Sequence, residues 1–129
     1  MTEIYAEFGM EVYDESIVYE VFKEMELLGE LEIKKTKRGT TIIDLCTPTR
    51  EIESLDDLSN EICDTIIPHK ETIKELLVKY GEKIYCSFFF VKMSERCDCS
   101  LHLNQKIINL ASYFGIVIDF DGFDMGRDD

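Results

Sequence analysis

Carboxylates and thiols are the groups in this sequence whose types and spacing could do chemistry. The stretch VIDFDGFDMGRDD holds five aspartates in thirteen residues: Asp119, Asp121, Asp124, Asp128 and Asp129. Such a run suits a hard cation, a carboxylate pair for catalysis, or charge contact with a partner. A calcium loop with Gly122 at its sixth position would place Asp119 third, Asp121 fifth and Asp128 twelfth. Its first ligand would then be Val117, and its twelfth would lack the long bidentate Glu that such loops use. The residues before the run also read as strand rather than helix, so no calcium site is assigned.

Cys97, Cys99 and His102 offer soft and borderline ligands. Structural zinc generally takes four ligands in spaced pairs, and Cys86 or His69 would have to arrive by folding to complete the set. No metal site is assigned there either. Asp44 in TIIDLCT and Asp119 in VIDF each interrupt an apolar strand. Catalysis by the two requires a concave pocket holding both carboxylates, at least one with a raised pKa. The simpler expectation is that both point to the solvent side of a half-covered sheet. There is no nucleophile elbow, phosphate-binding glycine loop or dinucleotide fingerprint, so the expectation is a non-enzyme without a cofactor.

The elements that must position these residues follow from composition and periodicity. A chain of 129 residues with 45% hydrophobic content is long enough to bury a core as one domain, residues 1–129. No run approaches the roughly 18 apolar residues of a membrane span, and the first ten residues lack a secretory signal, so a cytoplasmic location is expected. Five cysteines, most within apolar stretches, fit reduced thiols. Fourteen Lys and Arg oppose 27 Asp and Glu, a net charge of -13. Such a surface repels phosphates, so neither nucleic acid nor membrane is expected; it either provides solubility alone or steers in a basic protein partner.

IYAEFGMEV, residues 4–12, alternates and is rich in strand formers. Residues 14–29 predict a helix that buries Ile17, Val18, Val21, Phe22, Met25 and Leu28, capped by Asp14 and Gly29. Residues 31–47 predict a hairpin turning at Lys37, Arg38 and Gly39, whose basic island of Lys34, Lys35, Lys37 and Arg38 reads as a solvated tip. Helical spacing returns at Leu55, Leu58, Ile62 and Ile66, with Ser54 and Asp57 resembling a capping box. Pro68 either bends that helix or opens a second one carrying Ile73, Leu76, Leu77 and Tyr80.

KIYCSFFFVKM is apolar on both alternating faces, which predicts a central strand covered on both sides. A loop at residues 94–97, a short strand at 99–103, a helix capped by Asn104 and stopped by Gly115, and a last strand IVIDF complete the order. That helix is expected to bury Ile107, Ile108, Leu110, Ala111 and Phe114. The expected class is α+β: a single mixed or mainly antiparallel sheet of about five to six strands covered by three to four helices. Periodicity does not dictate strand order.

CSLHLNQKIINLASYFGIVIDFDGF resembles a small bacterial family of domains of unknown function, DUF4279-like. The pattern runs from a short strand into a helix of the form I-x-x-L-A, then a glycine, then a strand ending in alternating aspartates and an aromatic residue. Leu101, Leu103, Ile107, Leu110, Ala111, Gly115, Ile118, Asp119, Asp121 and Phe123 carry it, and FGMEVYDESIVYEVF resembles the family's opening strand and helix. The chain departs from the pattern in having no tryptophan, where one is expected near Ile43. The resemblance supplies no catalytic residues. It suggests a context, because small acidic domains of this kind are often encoded as immunity proteins beside bacterial toxins.

The expectation is therefore a cytoplasmic immunity protein that neutralises a cognate, basic, nucleic-acid-targeting toxin by direct binding. Asp119, Asp121, Asp124, Asp128 and Asp129 form its expected contact set, the alternative for them being an exposed strand end and a solvated tail. The alternative is a structural or regulatory binding module, possible self-association running through the aromatic strand at residues 88–90.

Overall fold

The computed structural model describes residues 2–47, 50–51, 55–94 and 102–124. Strand β1 is Thr2–Val12, helix α1 Val18–Met25, β2 Glu32–Lys35, β3 Thr41–Cys46 and β4 Arg50–Glu51. Helices α2 (Leu55–Ile66) and α3 (Lys70–Tyr80) follow, then β5 (Ile84–Ser94), α4 (Gln105–Phe114) and β6 (Val117–Asp124). The strands form a six-stranded sheet in the order β2-β3-β1-β5-β6, with β4 also paired to β1. Every pairing is antiparallel except β5 with β6, which run parallel and are joined through α4. A parallel pair cannot be closed by a tight turn, and the helix supplies the crossover. The class is α+β, with a mixed sheet, as expected.

One face of this sheet builds the core. Ile4, Ala6, Phe8, Met10 and Val12 alternate inward along β1, and Ile84, Cys86, Phe88 and Phe90 do so along β5. Phe8 joins the layers, its ring 5.1 Å from that of Phe88 and 5.8 Å from that of Phe114 on α4. α2 packs on β1 and α4, and α3 packs on α1 and α4, so the helices share that one face. Their apolar stripes, including Val21, Leu58, Ile62, Ile73, Ile107 and Leu110, fall in the same cluster.

Local signals set most boundaries. Asp14 accepts a hydrogen bond from the Ser16 amide at 3.0 Å and starts the first helical segment, which is a 3-10 turn, then α1, then a second 3-10 turn. Asn104 accepts from the Ile107 amide at 3.0 Å, and Gly115 ends α4 at φ 70°, a left-handed conformation in which an L side chain is strained. Pro68 separates two helices: it sits in the 3-10 turn Ile67–His69 between α2 and α3. The proposed partner of Asp57 in a capping box, Ser54, lies outside the described residues.

Three expectations need correction. β5 is interior, but its second face is sheltered unevenly among the described residues: Val91 there is 2% exposed and Tyr85 43%. Ile108 keeps helical spacing yet is 41% exposed, because α4 turns it outside the stripe that meets the sheet. His102 and Leu103 are not in a strand; the rest of the short strand expected at 99–103, and the loop beyond Ser94, lie outside the described residues. Ser94 itself still belongs to β5.

Candidate functional site

The uncovered face of the sheet gathers the chemistry. Alternation turns Tyr5, Glu7, Gly9 and Glu11 of β1 away from the helices, and register then fixes their neighbours. Glu7 stands opposite Cys46 and Gly9 opposite Asp44 across β1 and β3, while Glu32 stands opposite Asp44 across β2 and β3. On the other side of β1, Glu7 meets Phe89, Gly9 meets Ser87 and Glu11 meets Tyr85. A cleft of about 250 Å³ opens here, its lining including Glu7, Asp44, Lys34, Ile42, Tyr85 and Phe89.

Asp44 is 5% exposed although it belongs to the open face. It is sheltered because its side chain lies over the bare backbone of Gly9: a Cβ there would stand 2.0 Å from Asp44 Oδ1. Burial first, and the charge of Glu7 second, push its carboxyl up to about 6, with Lys34 opposing the shift. Cys46 is pushed up to about 12 by burial and then by Glu7 and Glu32. Its thiol therefore keeps its proton and donates to Glu7 Oε1 at 3.6 Å and to Glu32 Oε2 at 3.7 Å. Burial works against the charge of Lys34, but Glu7, Asp44 and Glu32 outweigh it and raise its pKa.

Three of the four residues of the basic island make internal pairs. Lys35 pairs with Glu15, Arg38 reaches Glu11 Oε2 at 3.1 Å, and Lys34 lies 3.8 Å from Glu32. Thr40 Oγ1 also donates to Glu11 Oε2 at 2.7 Å, so Glu11 is held from the hairpin side.

Of the five C-terminal aspartates, Asp119 and Asp121 are brought together on the open face of edge strand β6. Asp119 accepts a hydrogen bond from Tyr85 Oη at 3.3 Å. Asp124 closes β6 opposite Ser94, its side chain outside the described part, and Asp128 and Asp129 lie outside the described residues altogether. Residues 117–124 are strand, so the arrangement that a calcium loop needs there is absent. Cys97 and Cys99 also lie outside the described residues, while Cys86 is buried on the helix side of the sheet and His102 is exposed.

Asp44 and Asp119 do not form a catalytic pair. β1 and β5 lie between their strands, three strand spacings or about 14 Å apart. The raised pKa expected of such a pair is present on Asp44, but its neighbour is Glu7. The sequence carried one signal for that: in EFGMEV a glycine stands between two glutamates on one strand face, where an acidic neighbour can lie across it.

Over residues 24–124 the sequence matches a family described as Domain of unknown function (DUF4279). The chain belongs to this family. No curated protein and no solved structure matches it. The DUF4279 match covers Asp44, Cys46, Glu32, Lys34, Asp119 and Asp121, whereas Glu7 and Gly9 precede it on β1. In this DUF4279 chain the acidic site thus straddles the boundary of the match, with β1 completing what β2 and β3 begin.

Proposed function

We propose that this protein is a non-catalytic immunity protein that binds a basic protein toxin on the open face of its sheet and so neutralises it in the cytoplasm. The observation that supports this is the make-up of that face. Tyr85 and Val117 are exposed beside half-buried Phe89, and Glu7, Asp119 and Asp121 stand around them. Apolar side chains at the centre of an interface supply affinity, and surrounding carboxylates steer a basic partner and raise the on-rate. The overall charge of -13 acts in the same direction. A toxin that attacks nucleic acids carries the basic surface that this face would select.

Self-association through residues 88–90 is the weaker alternative, since Phe88 and Phe90 are fully buried in the core and only Phe89 faces the open side. No helix among the described residues is long and apolar enough to cross a membrane.

The test is affinity capture of the tagged protein from its native cells at low salt, with mass spectrometry of retained proteins. A stoichiometric basic partner that elutes with salt, and that poisons cells when expressed without this protein, is the expected outcome. Recovery of a partner that is harmless when expressed alone would end the immunity proposal while keeping a binding role.

A further inference from the structure

We propose that Glu7, Asp44 and Cys46 form a binding site for one zinc-class divalent cation, independent of any protein partner. One ligand atom from each of the three lies within 4.8 Å of the other two. Around a tetrahedral zinc with ordinary bond lengths, ligand atoms stand about 3.4 to 3.6 Å apart, so rotations of Glu7 and Cys46 close the set. The backbone already holds them: Glu7 faces Cys46 across the ladder, and Asp44 lies two residues before Cys46 on the same face.

Asp44 is the independent pointer to a cation. It is 95% buried, it lines the cleft, and it accepts no hydrogen bond among the described residues. Buried carboxylates are otherwise paired or hydrogen-bonded, because an ion stripped of water is costly. Gly9 keeps the carboxylate in place, since any larger residue would occupy the position of Oδ1. A sheltered carboxylate with no hydrogen-bond donor among the described residues, beside a second carboxylate and a thiol, is a donor set that suits a metal ion.

The donors select the ion. Magnesium and calcium take oxygen ligands, whereas a thiolate with two carboxylates suits a borderline cation such as zinc. On binding, the Cys46 S–H bond breaks, the sulfur electron pair goes to the metal, and one proton leaves to solvent. The fourth position opens into the cleft, which has room for a water molecule. Lys34, 3.8 Å from Glu32, also acts on Glu7 and Asp44 from the edge of the cleft, and a bound cation would take over that role.

The test uses the full chain, stripped with a chelator, and cobalt(II) as a spectroscopic probe. Thiolate coordination produces a sulfur-to-cobalt charge-transfer absorption, and zinc should bleach it by displacement at one equivalent. Calorimetry in buffers of different ionisation enthalpy should show about one proton released per zinc. Cys46→Ser should abolish the absorption, and Asp44→Asn and Glu7→Gln should each weaken zinc binding at least tenfold. Circular dichroism keeps loss of fold separate from loss of metal. The proposal is overturned by folded wild-type protein that shows no absorption at millimolar cobalt. It is also overturned by absorption that survives Cys46→Ser but is lost in Cys97→Ser/Cys99→Ser, which would place the metal at that pair.

Discussion

The two faces of β1 obey different chemistry within one strand. Ile4, Ala6, Phe8, Met10 and Val12 are buried under the helices, while Glu7, Gly9 and Glu11, one residue out of phase, line an open cleft. The covered face is what holds the fold together, since burial of apolar area is the dominant favourable contribution to folding. Folding has no comparable use for Glu7 beside Asp44, because two neighbouring carboxylates repel. Removing a side chain from the covered face should therefore unfold the protein, and neutralising one on the open face should stabilise it.

The largest effect is expected at Phe8, which touches both Phe88 and Phe114. Phe8→Ala should cost about 3 to 5 kcal/mol, as buried aromatic truncations do. Phe89→Ala, on the adjacent strand but facing the cleft, should cost about 1 kcal/mol or less, since its ring is only partly removed from water. Urea unfolding of both variants decides this. Equal losses would mean that the open face is a second core.

Next comes Asp44. Its carboxyl holds a proton up to about 6 in the folded protein, against 3.8 without the fold. The folded state thus binds more protons between these values, and stability falls as pH rises from 3.8 through 6. Fully developed near pH 7, the loss amounts to about 3 kcal/mol in the metal-free protein. Asp44→Asn should recover most of it and flatten the profile. Urea titrations from about pH 4 to pH 8 check both, and a wild-type profile without that decline would show that Asp44 is not a stressed carboxylate.

Gly9→Ala should cost somewhat less, about 1 to 3 kcal/mol, since the backbone there needs no positive φ and the conflict is with the Asp44 carboxyl group. If so, most of the cost should vanish in an Asp44→Ala background, giving a coupling well above about 0.5 kcal/mol. Additive losses would mean that the two residues do not meet.

These contrasts also show what the sequence could reveal. Short-range signals sufficed for Asp14, Asn104, Gly115 and the hairpin, because caps and turns are decided within a few residues. Asp44 stood out as an acid in an apolar strand, but its neighbour did not. Glu7 lies 37 residues earlier and reaches it only through the register of β1 with β3, which periodicity cannot supply. β5 was legible only in part: Tyr85, Phe89, Val91 and Met93 alternate as apolar residues do beneath a second layer, but the helices lie on the other face and the shelter here is uneven, Val91 being buried and Tyr85 exposed. Apolar residues on a partly sheltered face read in a sequence as core.

Asp119 and Asp121 should give the smallest effect on stability and the sharpest one on function. Both lie on the open face of an edge strand, and asparagine at 119 can still accept the Tyr85 hydroxyl. Asp119→Asn/Asp121→Asn should therefore shift unfolding by no more than about 0.5 kcal/mol. Against the partner recovered by affinity capture, the same variant should associate more slowly and lose part of the salt dependence of binding, because steering scales with the charge presented. Stopped-flow association at two ionic strengths separates this from a change in packing, which acts on dissociation. If on-rate and salt dependence match wild type, the partner does not approach over β6, and contact must be sought nearer Glu7 and Phe89, where the acidic and apolar parts of the open face meet.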